Sequence, residues 1–359
     1  MNRRPPRSGK RKIFTNTLLV DGNALFKVGF HGASGVYNST GDKIGGIYQF
    51  ITVLRKLLTE DLYHKCYVVW DGKQSGLYRY QFYPEYKKKR GKNFENDPNF
   101  VAEHDEGFIL QKFKVGEYLE ELPIRQVSYP FIEGDDLVGH YCLNKSENEK
   151  VTIVSNDRDM CQLINPEVKM YLCGRTDKKY VEYHTFMKHF PYLCDNAMLV
   201  KMLTGDTSDD ITGVKGLGEK TLLEHFPELG IKICTLEEII ARAVVLQEIR
   251  KENKLKPLKV LTNIIEGVTT GSQKDKLYEI NERLVNLKKP LLTEESIEDF
   301  NSVMEFGITL EGRAIKNVYE KMKRDEVDKL MRQPYLEYFM PFKKLNEREK
   351  KTITNLTEG

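Results

Sequence analysis

An α/β fold with a central, mostly parallel twisted sheet is the architecture this sequence predicts, on three observations. Short apolar runs rich in β-branched residues recur at 18–20, 65–69, 151–154 and 168–172. Between them lie longer stretches with apolar residues three and four apart, the spacing of amphipathic helices. Three of the runs lead straight into acids: Asp21, Asp71, and the pair Asp157 and Asp159. In open α/β sheets the crevice at the strand carboxyl ends is where ligands bind.

The first run ends in Asp21, and Gly22-Asn23 turns the chain into a helix. Gly45 and Gly46 open the next helical pattern, through Ile47, Phe50, Ile51, Leu54, Leu57 and Leu58. Two glycines at a helix start either let a phosphate backbone approach closely or make a plain turn after Thr40-Gly41. Local sequence favours neither reading. The second strand runs through Tyr67-Val-Val-Trp70 to Asp71.

The stretch 76–92 changes character. Arg79, Lys87, Lys88, Lys89, Arg90 and Lys92 stand against Glu85 alone, interleaved with Tyr78, Tyr80, Phe82, Tyr83 and Tyr86. Basic residues neutralise phosphates, and aromatic faces stack on unpaired bases. A solvated helix accounts for the charges but not for the aromatics, so nucleic acid is the expected partner. The next stretch, 95–121, is acidic and then amphipathic, with Phe108, Leu110, Phe113, Val115 and Leu119. It is long for a connection between sheet elements, as lids and binding loops are.

The densest chemistry lies in Phe131-Ile-Glu-Gly-Asp-Asp-Leu-Val-Gly139. Glu133, Asp135 and Asp136 open a helix that continues through Leu137, Val138, Tyr141 and Cys142. Taken alone, each acid has an ordinary role as a cap or turn residue, favoured by the helix dipole. Gathered with Asp157 and Asp159 at a sheet edge they would repel one another, and a cation resolves that repulsion. Hard oxygen donors in number suit Mg²⁺ or Mn²⁺.

Asp195 is expected to cap a helix through Met198, Leu199, Met202 and Leu203. Asp206, Asp209 and Asp210 follow it. Gly213-Val214-Lys215-Gly216-Leu217-Gly218, then Glu219-Lys220-Thr221, reads as a tight hairpin entering a helix. Glycines there allow positive φ, so that successive N–H groups form a nest for anions. Beyond Pro227 the chain is charged and helical, with amphipathic runs around 236–246 and 277–287, and is expected to pack on the core. Gln333-Pro-Tyr-Leu-Glu-Tyr-Phe339 is similar to peptides that bind sliding clamps. Met340 stands where their last aromatic belongs, and packing of an aromatic C-terminal helix is the competing expectation.

Composition sets the outer bounds. The 359 residues, 40% hydrophobic and 30% charged, can bury an ample core as one large domain or two smaller ones. No apolar run approaches the ~18 residues of a membrane span. The basic start (Arg3, Arg4, Arg7, Lys10, Arg11, Lys12) reads as a disordered arm over 1–16 or as a loose phosphate contact. Six scattered cysteines without a C-x-x-C pair point to reduced thiols in a cytoplasmic protein. The net charge is +3, but setting aside nine clustered acids leaves a body of about +12, fit to grip a polyanion.

These motifs resemble those of the flap endonuclease / 5′–3′ exonuclease family, which includes the nuclease domain of bacterial DNA polymerase I and the phage ribonuclease H and flap-endonuclease enzymes. The resemblance spans 18–229. It rests on Val-Asp-Gly-Asn at 20–23, Gly-Gly-Ile-Tyr-Gln-Phe at 45–50 and Trp-Asp-Gly at 70–72. Arg79 spaced to Tyr86-Lys87 and Arg90, Glu-Gly-Asp-Asp at 133–136, Ser-Asn-Asp-Arg-Asp at 155–159 and the Asp206–Thr221 stretch complete it.

The resemblance implies a PIN-like 5′-nuclease fold: an α/β core over 17–190 with a helical arch at about 76–108, a helix–hairpin–helix region over 191–270 and C-terminal helices over 271–359. It implies a phosphodiester hydrolase acting at free 5′ ends or flaps of DNA, and on RNA primers, in replication or repair. Two Mg²⁺ ions, with Mn²⁺ able to substitute, would be held by Asp21, Asp71, Glu133, Asp135, Asp136, Asp157, Asp159, Asp206 and Asp209. Asp210 stands where the family usually has Asn and is left out; Gly134 replaces the commoner Ala. Lys87 and Arg90 would join Asp21, Asp71 and Asp157 in catalysis by neutralising charge on the phosphate. Tyr86 would stack on a frayed base and Arg79 would support the arch. Gly45, Gly46, Arg79, Tyr86, Lys87, Lys88, Arg90, Gly213, Val214, Lys215, Gly216, Gly218, Lys220 and Thr221 would contact nucleic acid, with K⁺ at the hairpin. The expected partners are DNA with a 5′ flap or free 5′ end, an RNA–DNA hybrid, and a single-strand-binding protein or clamp. The expected state is a monomer in the cytoplasm, that of the host if the source is viral.

Three other readings are weaker. A PIN-type ribonuclease gathers acids similarly but lacks the basic aromatic stretch and the glycine hairpin. A phosphatase with Asp21 as nucleophile would want an acid two residues on, where Asn23 stands. A non-enzymatic DNA-binding scaffold would carry the acids as a liability.

Overall fold

The computed structural model describes residues 14–88, 105–174, 180–273, 276–306 and 312–357. Six strands form the central sheet: β1 (Thr15–Asp21), β2 (Lys65–Val69), β3 (Arg125–Val127), β4 (Glu149–Val154), β5 (Val168–Tyr171) and β6 (Tyr180–Val181). Their order is β3-β2-β1-β4-β5-β6, parallel throughout except for β6 at one edge. The sequence reading missed β3 and β6, both too short to show a period. The chain steps outward from β1 through β2 to β3 and then crosses back to β4 on the other side of β1. That reversal between β1 and β4 is a topological switch point, where open α/β sheets bind ligands.

Both faces of the sheet are covered, as parallel sheets require. Leu18, Val20, Cys66 and Val68 point into one apolar layer with helices Gly22–Gly32 and Gly45–Glu60. Leu19, Tyr67, Val69 and Ile153 point into the other, with helix Gly134–Asn144 and the helices between residues 197 and 306. All six cysteines are buried free thiols. No helix among the described residues is long and apolar enough to cross a membrane.

Asp195 does not cap the helix that follows it. A 3₁₀ turn, Cys194–Asn196, precedes helix Ala197–Thr204, and Asp195 instead accepts from the Tyr183 hydroxyl at 3.0 Å. Asn196, fully buried, does the local work by donating to the carbonyls of Leu229 and Lys232, each at 2.8 Å.

The C-terminal helices return to the core. Helix Met340–Thr357 lies against helix Gly45–Glu60 and β2, with Phe342 and Leu345 fully buried. Buried Arg125 of β3 pairs with buried Glu349. The clamp-peptide expectation for Gln333–Phe339 is overturned here: Tyr338 is 7% exposed and Phe339 0%. Arg55 donates to the Tyr338 carbonyl at 2.9 Å and sits over its ring at 4.7 Å, so the aromatics serve as core anchors. Helix Ile315–Arg324 in turn fastens helix Glu106–Leu119 and the turn after it. Lys321 pairs with Glu121 at 2.9 Å, and the Tyr118 hydroxyl donates to Asp325 at 2.7 Å.

Candidate active site

The acids at the sheet's carboxyl edge fall into three groups with different electrostatics. The first sits at the switch point. Asp21 ends β1, and its carboxylate accepts from the Ala24 N–H at 2.9 Å and the Ser155 hydroxyl at 2.9 Å. Ser155, at the end of β4, also accepts from the Asp157 N–H at 3.0 Å, which fixes the two acids relative to each other. Asp71, just past β2, accepts from the Gly134 N–H at 2.8 Å and so aligns the helix carrying Asp135.

Burial, then the charges of Asp71 and Asp157, push the Asp21 carboxyl up to about 6. Burial, then Asp157, Asp21 and Asp71, raise Asp135 well above the ordinary carboxylate range. The charges of these acids are thus felt across the switch point, at Asp21 and at Asp135. Among the described residues, no lysine or arginine forms an ion pair with Asp21, Asp71, Asp135 or Asp157.

The second group surrounds Glu133, which is 5% exposed. Arg79 donates to it at 2.6 Å, the Tyr86 hydroxyl at 2.9 Å, and the Lys87 ammonium pairs with it. Burial opposes ionisation, but Lys87 and Arg79 outweigh it and hold Glu133 below the usual range. Asp209 joins this group, its carboxylate 3.9 Å from the Lys87 ammonium and its carbonyl accepting the Lys87 N–H at 2.9 Å. Lys87 adopts a φ of 52°, so the chain turns sharply where it docks.

Lys201 organises the third group. Its ammonium pairs with both Asp159 and Asp206. Burial and Asp157 still push Asp159 up to about 7, whereas Lys201 and Ser208 overcome burial to hold Asp206 low. Sequence reasoning missed Lys201 and Ser155. A lone lysine in the apolar helix Ala197–Thr204, five residues before Asp206, was the available signal for Lys201.

Several sequence expectations are corrected by these placements. Asp136, 1% exposed, has its oxygens committed to Arg79 and to the Leu291 N–H at 3.0 Å, so it braces the site from behind instead of coordinating. Arg79 is equally buried and also donates to the Leu284 carbonyl at 3.0 Å, which removes it from contact with nucleic acid. Tyr86 is 3% exposed and spends its hydroxyl on Glu133, leaving no ring face for a base. Gly45 and Gly46 are buried at a helix crossing. A Cβ on Gly46 would lie 2.7 Å from the Phe26 ring, and its N–H already donates to Gln111 at 2.9 Å. Close helix packing, not phosphate approach, explains the two glycines.

The hairpin is half as expected. Strands β7 (Gly205–Asp206) and β8 (Ile211–Thr212) pair antiparallel, and Gly213–Gly218 leads to helix Glu219–His225. Val214 is buried, and the N–H groups of Val214, Lys215 and Leu217 donate to the carbonyls of Leu203, Val268 and Val214. Val214 therefore anchors the hairpin and contacts no ligand. Gly216, with φ +79°, and Gly218 face open space, beside exposed Lys215 and Lys220; Thr221 is half-buried. Lys88 is exposed, whereas Arg90 and the centre of the expected arch, like the basic arm before residue 14, lie outside the described residues.

Among the described residues, no three acidic, histidine or cysteine side chains already converge as a coordination sphere. The donor set nonetheless fits a hard cation. Four mutually repelling carboxylates line the switch point, while the other acids have lysine or arginine partners. Sheet order and acid placement define an α/β protein whose ligand meets the sheet's carboxyl edge.

Comparison with known proteins narrows that class. The family described as "5′-3′ exonuclease, N-terminal resolvase-like domain" matches residues 16–190. The 5′-3′ exonuclease of Mycoplasma pneumoniae is 30% identical over 241 residues, covering 63% of this chain and 75% of that one. The thermostable DNA polymerase I of Thermus caldophilus is 28% identical over 243 residues, 67% of this chain but only 26% of the polymerase. The chain thus spans about a quarter of that relative's length. The fold is also that of T5 5′-exonuclease, solved with bound divalent zinc, at a TM-score of 0.58 and 19% identity over 88% of this chain and 99% of that one. This chain belongs to the 5′–3′ exonuclease family.

Proposed function

We propose that the chain is a divalent-metal-dependent 5′ nuclease hydrolysing phosphodiester bonds at free 5′ ends or 5′ flaps of DNA, and of RNA primers paired to DNA, in replication or repair. The observation that carries this reading is the set of four mutually repelling carboxylates at the switch point, Asp21, Asp71, Asp135 and Asp157. Repulsion of that kind is tolerated where a cation and a phosphate are to bind.

Asp21, Asp71, Asp135 and Asp157 would hold one Mg²⁺, and Glu133, Asp159, Asp206 and Asp209 would contribute to a second, with Mn²⁺ able to substitute. When bound, the ions supply Lewis acidity to the attacking water and the departing oxygen. The chain's own groups do the rest. Ser155 and the Gly134 N–H orient Asp21 and Asp71. Lys201 keeps Asp159 and Asp206 together. Lys87, a quarter exposed above Glu133, is placed to neutralise charge growing on a phosphate, a role Arg90 would share. Lys88, Lys215, Gly216, Gly218, Lys220 and Thr221 would hold the duplex backbone, with K⁺ at the hairpin. The core, hairpin and C-terminal regions would act as one monomer in the cytoplasm, with a single-strand-binding protein as its replication partner.

The test is cleavage of an end-labelled 5′-flap duplex with Mg²⁺, comparing wild type, Asp157→Ala and Lys87→Ala. Cutting near the junction is expected, abolished in the first variant and slowed about 10²-fold in the second. A wild type that binds the flap tightly yet never cuts it with Mg²⁺ or Mn²⁺ would leave only a DNA-binding scaffold.

A further inference from the structure

Between the third acid group and the glycine hairpin lies a cleft of about 500 Å³, lined by the cations Arg158 and Lys201 and the acids Asp157, Asp159, Asp206 and Glu219 among others. Arg158 stands between Asp157 and Asp159 in the chain but does not join them. The Asp157 carboxylate accepts from the Asp159 N–H at 2.8 Å and starts the 3₁₀ turn Arg158–Leu163. The Arg158 guanidinium carbon lies 5.1 Å from the centre of the buried Phe190 ring. Its one ion pair among the described residues is loose: 3.8 Å to Glu219, with the two side chains 66% and 37% exposed. Exposed pairs of this kind contribute little and exchange readily, whereas a guanidinium resting on an aromatic face is already oriented for an incoming oxyanion.

We propose that this cleft is a phosphate subsite for the nucleic-acid strand crossing between the acids and the hairpin, and that Arg158 binds the phosphate there. The inference rests on the nuclease reading and adds a residue that reading does not use. A polyanion held at both ends of the cleft must cross it. The acids nearest the crossing, Asp159 and Asp206, share Lys201, whose one charge offsets one of their two, so Arg158, held by its loose pair to Glu219, is the cation of the cleft placed to meet a phosphate. Glu219 holds Arg158 when the cleft is empty and gives it up when a phosphate arrives.

The experiment measures affinity for a fluorescent 5′-flap duplex with Ca²⁺ in place of Mg²⁺, across a salt series, beside single-turnover cutting with Mg²⁺ at saturating enzyme. Each phosphate contact contributes about 0.9 to the slope of log K against log salt, so Arg158→Ala is expected to lower the slope by about 1. It should also weaken binding several-fold at low salt and leave the saturated cutting rate within about twofold. Arg158→Lys should keep the slope, and Glu219→Gln should tighten binding. An unchanged slope in Arg158→Ala overturns the subsite. So does unchanged binding with slowed cutting, which would put Arg158's effect on the acids. If wild type neither binds nor cuts, the nuclease reading itself falls and this inference with it.

Discussion

Arg79 gives Asp136 both terminal nitrogens, at 2.6 and 3.0 Å, with both residues almost wholly buried. The same guanidinium also holds Glu133, so one buried cation orders an acid on helix Gly134–Asn144 and the acid at its N-cap. Removing one partner of a buried pair strands the other charge, at a cost of about 3–5 kcal/mol. Asp136→Ala is therefore expected to lose about that much stability in urea unfolding. Asp157→Ala, at an exposed acid, should lose activity with its fold intact. Equal stability in the two variants would return Asp136 to the list of metal ligands.

Asp135 behaves oppositely. Its carboxyl is held well above the ordinary range by burial and by Asp157, Asp21 and Asp71. Asp135→Asn keeps the shape and removes a repelling charge, so the metal-free protein should melt at a higher temperature than wild type. Added Mg²⁺ should raise the melting temperature of wild type more than that of the variant, because a cation gains less where one donor charge is gone. Calorimetry with EDTA and with Mg²⁺ checks both signs.

Lys201→Ala leaves Asp159 and Asp206 facing each other without their shared cation. The expected result is a nuclease slowed at least about tenfold with Mg²⁺, partly restored in Lys201→Arg, because the charge and not the shape is what holds the acids. Full activity in Lys201→Ala would show that bound metal replaces the lysine completely.

Acid should loosen the clamp between helices Glu106–Leu119 and Ile315–Arg324. Burial raises Asp325, but hydrogen bonds from Arg324 and Tyr118 outweigh it and leave the carboxyl below its usual value. A lowered folded value means the stabilisation is complete above the unfolded value of ~3.9 and is lost as pH falls through the folded one. Asp325→Asn should therefore be less stable than wild type at neutral pH, and the difference should shrink below about pH 4. Melting temperatures across pH 2.5–7, in steps of about 0.5, would show it.

Much of this was legible in the chain. The strands at 18–21 and 65–69, the acids at their ends and the helix opened by Glu133 follow from local pattern, because a buried parallel strand is a continuous apolar run whatever it packs against. What failed was the role of residues whose chemistry is set by distant partners. Arg79, Tyr86, Asp136, Gly45 and Gly46 look available in sequence and are all consumed by neighbours from elsewhere in the fold, such as Leu284, Leu291, Phe26 and Gln111. Sequence shows what a side chain can do, and burial decides whether it is left to do it. Strands β3 and β6 escaped because two or three residues carry no period.

The two backbone groups that finish the brace behind the acids, the Leu284 carbonyl and the Leu291 N–H, come from far along the chain. During synthesis every acid of the group leaves the ribosome well before them. A growing chain would carry the acids without the scaffold that sets their positions, and the site would be completed only once Leu291 can fold back. If the chain is the nuclease proposed, it is thereby armed only once residue 291 has been made.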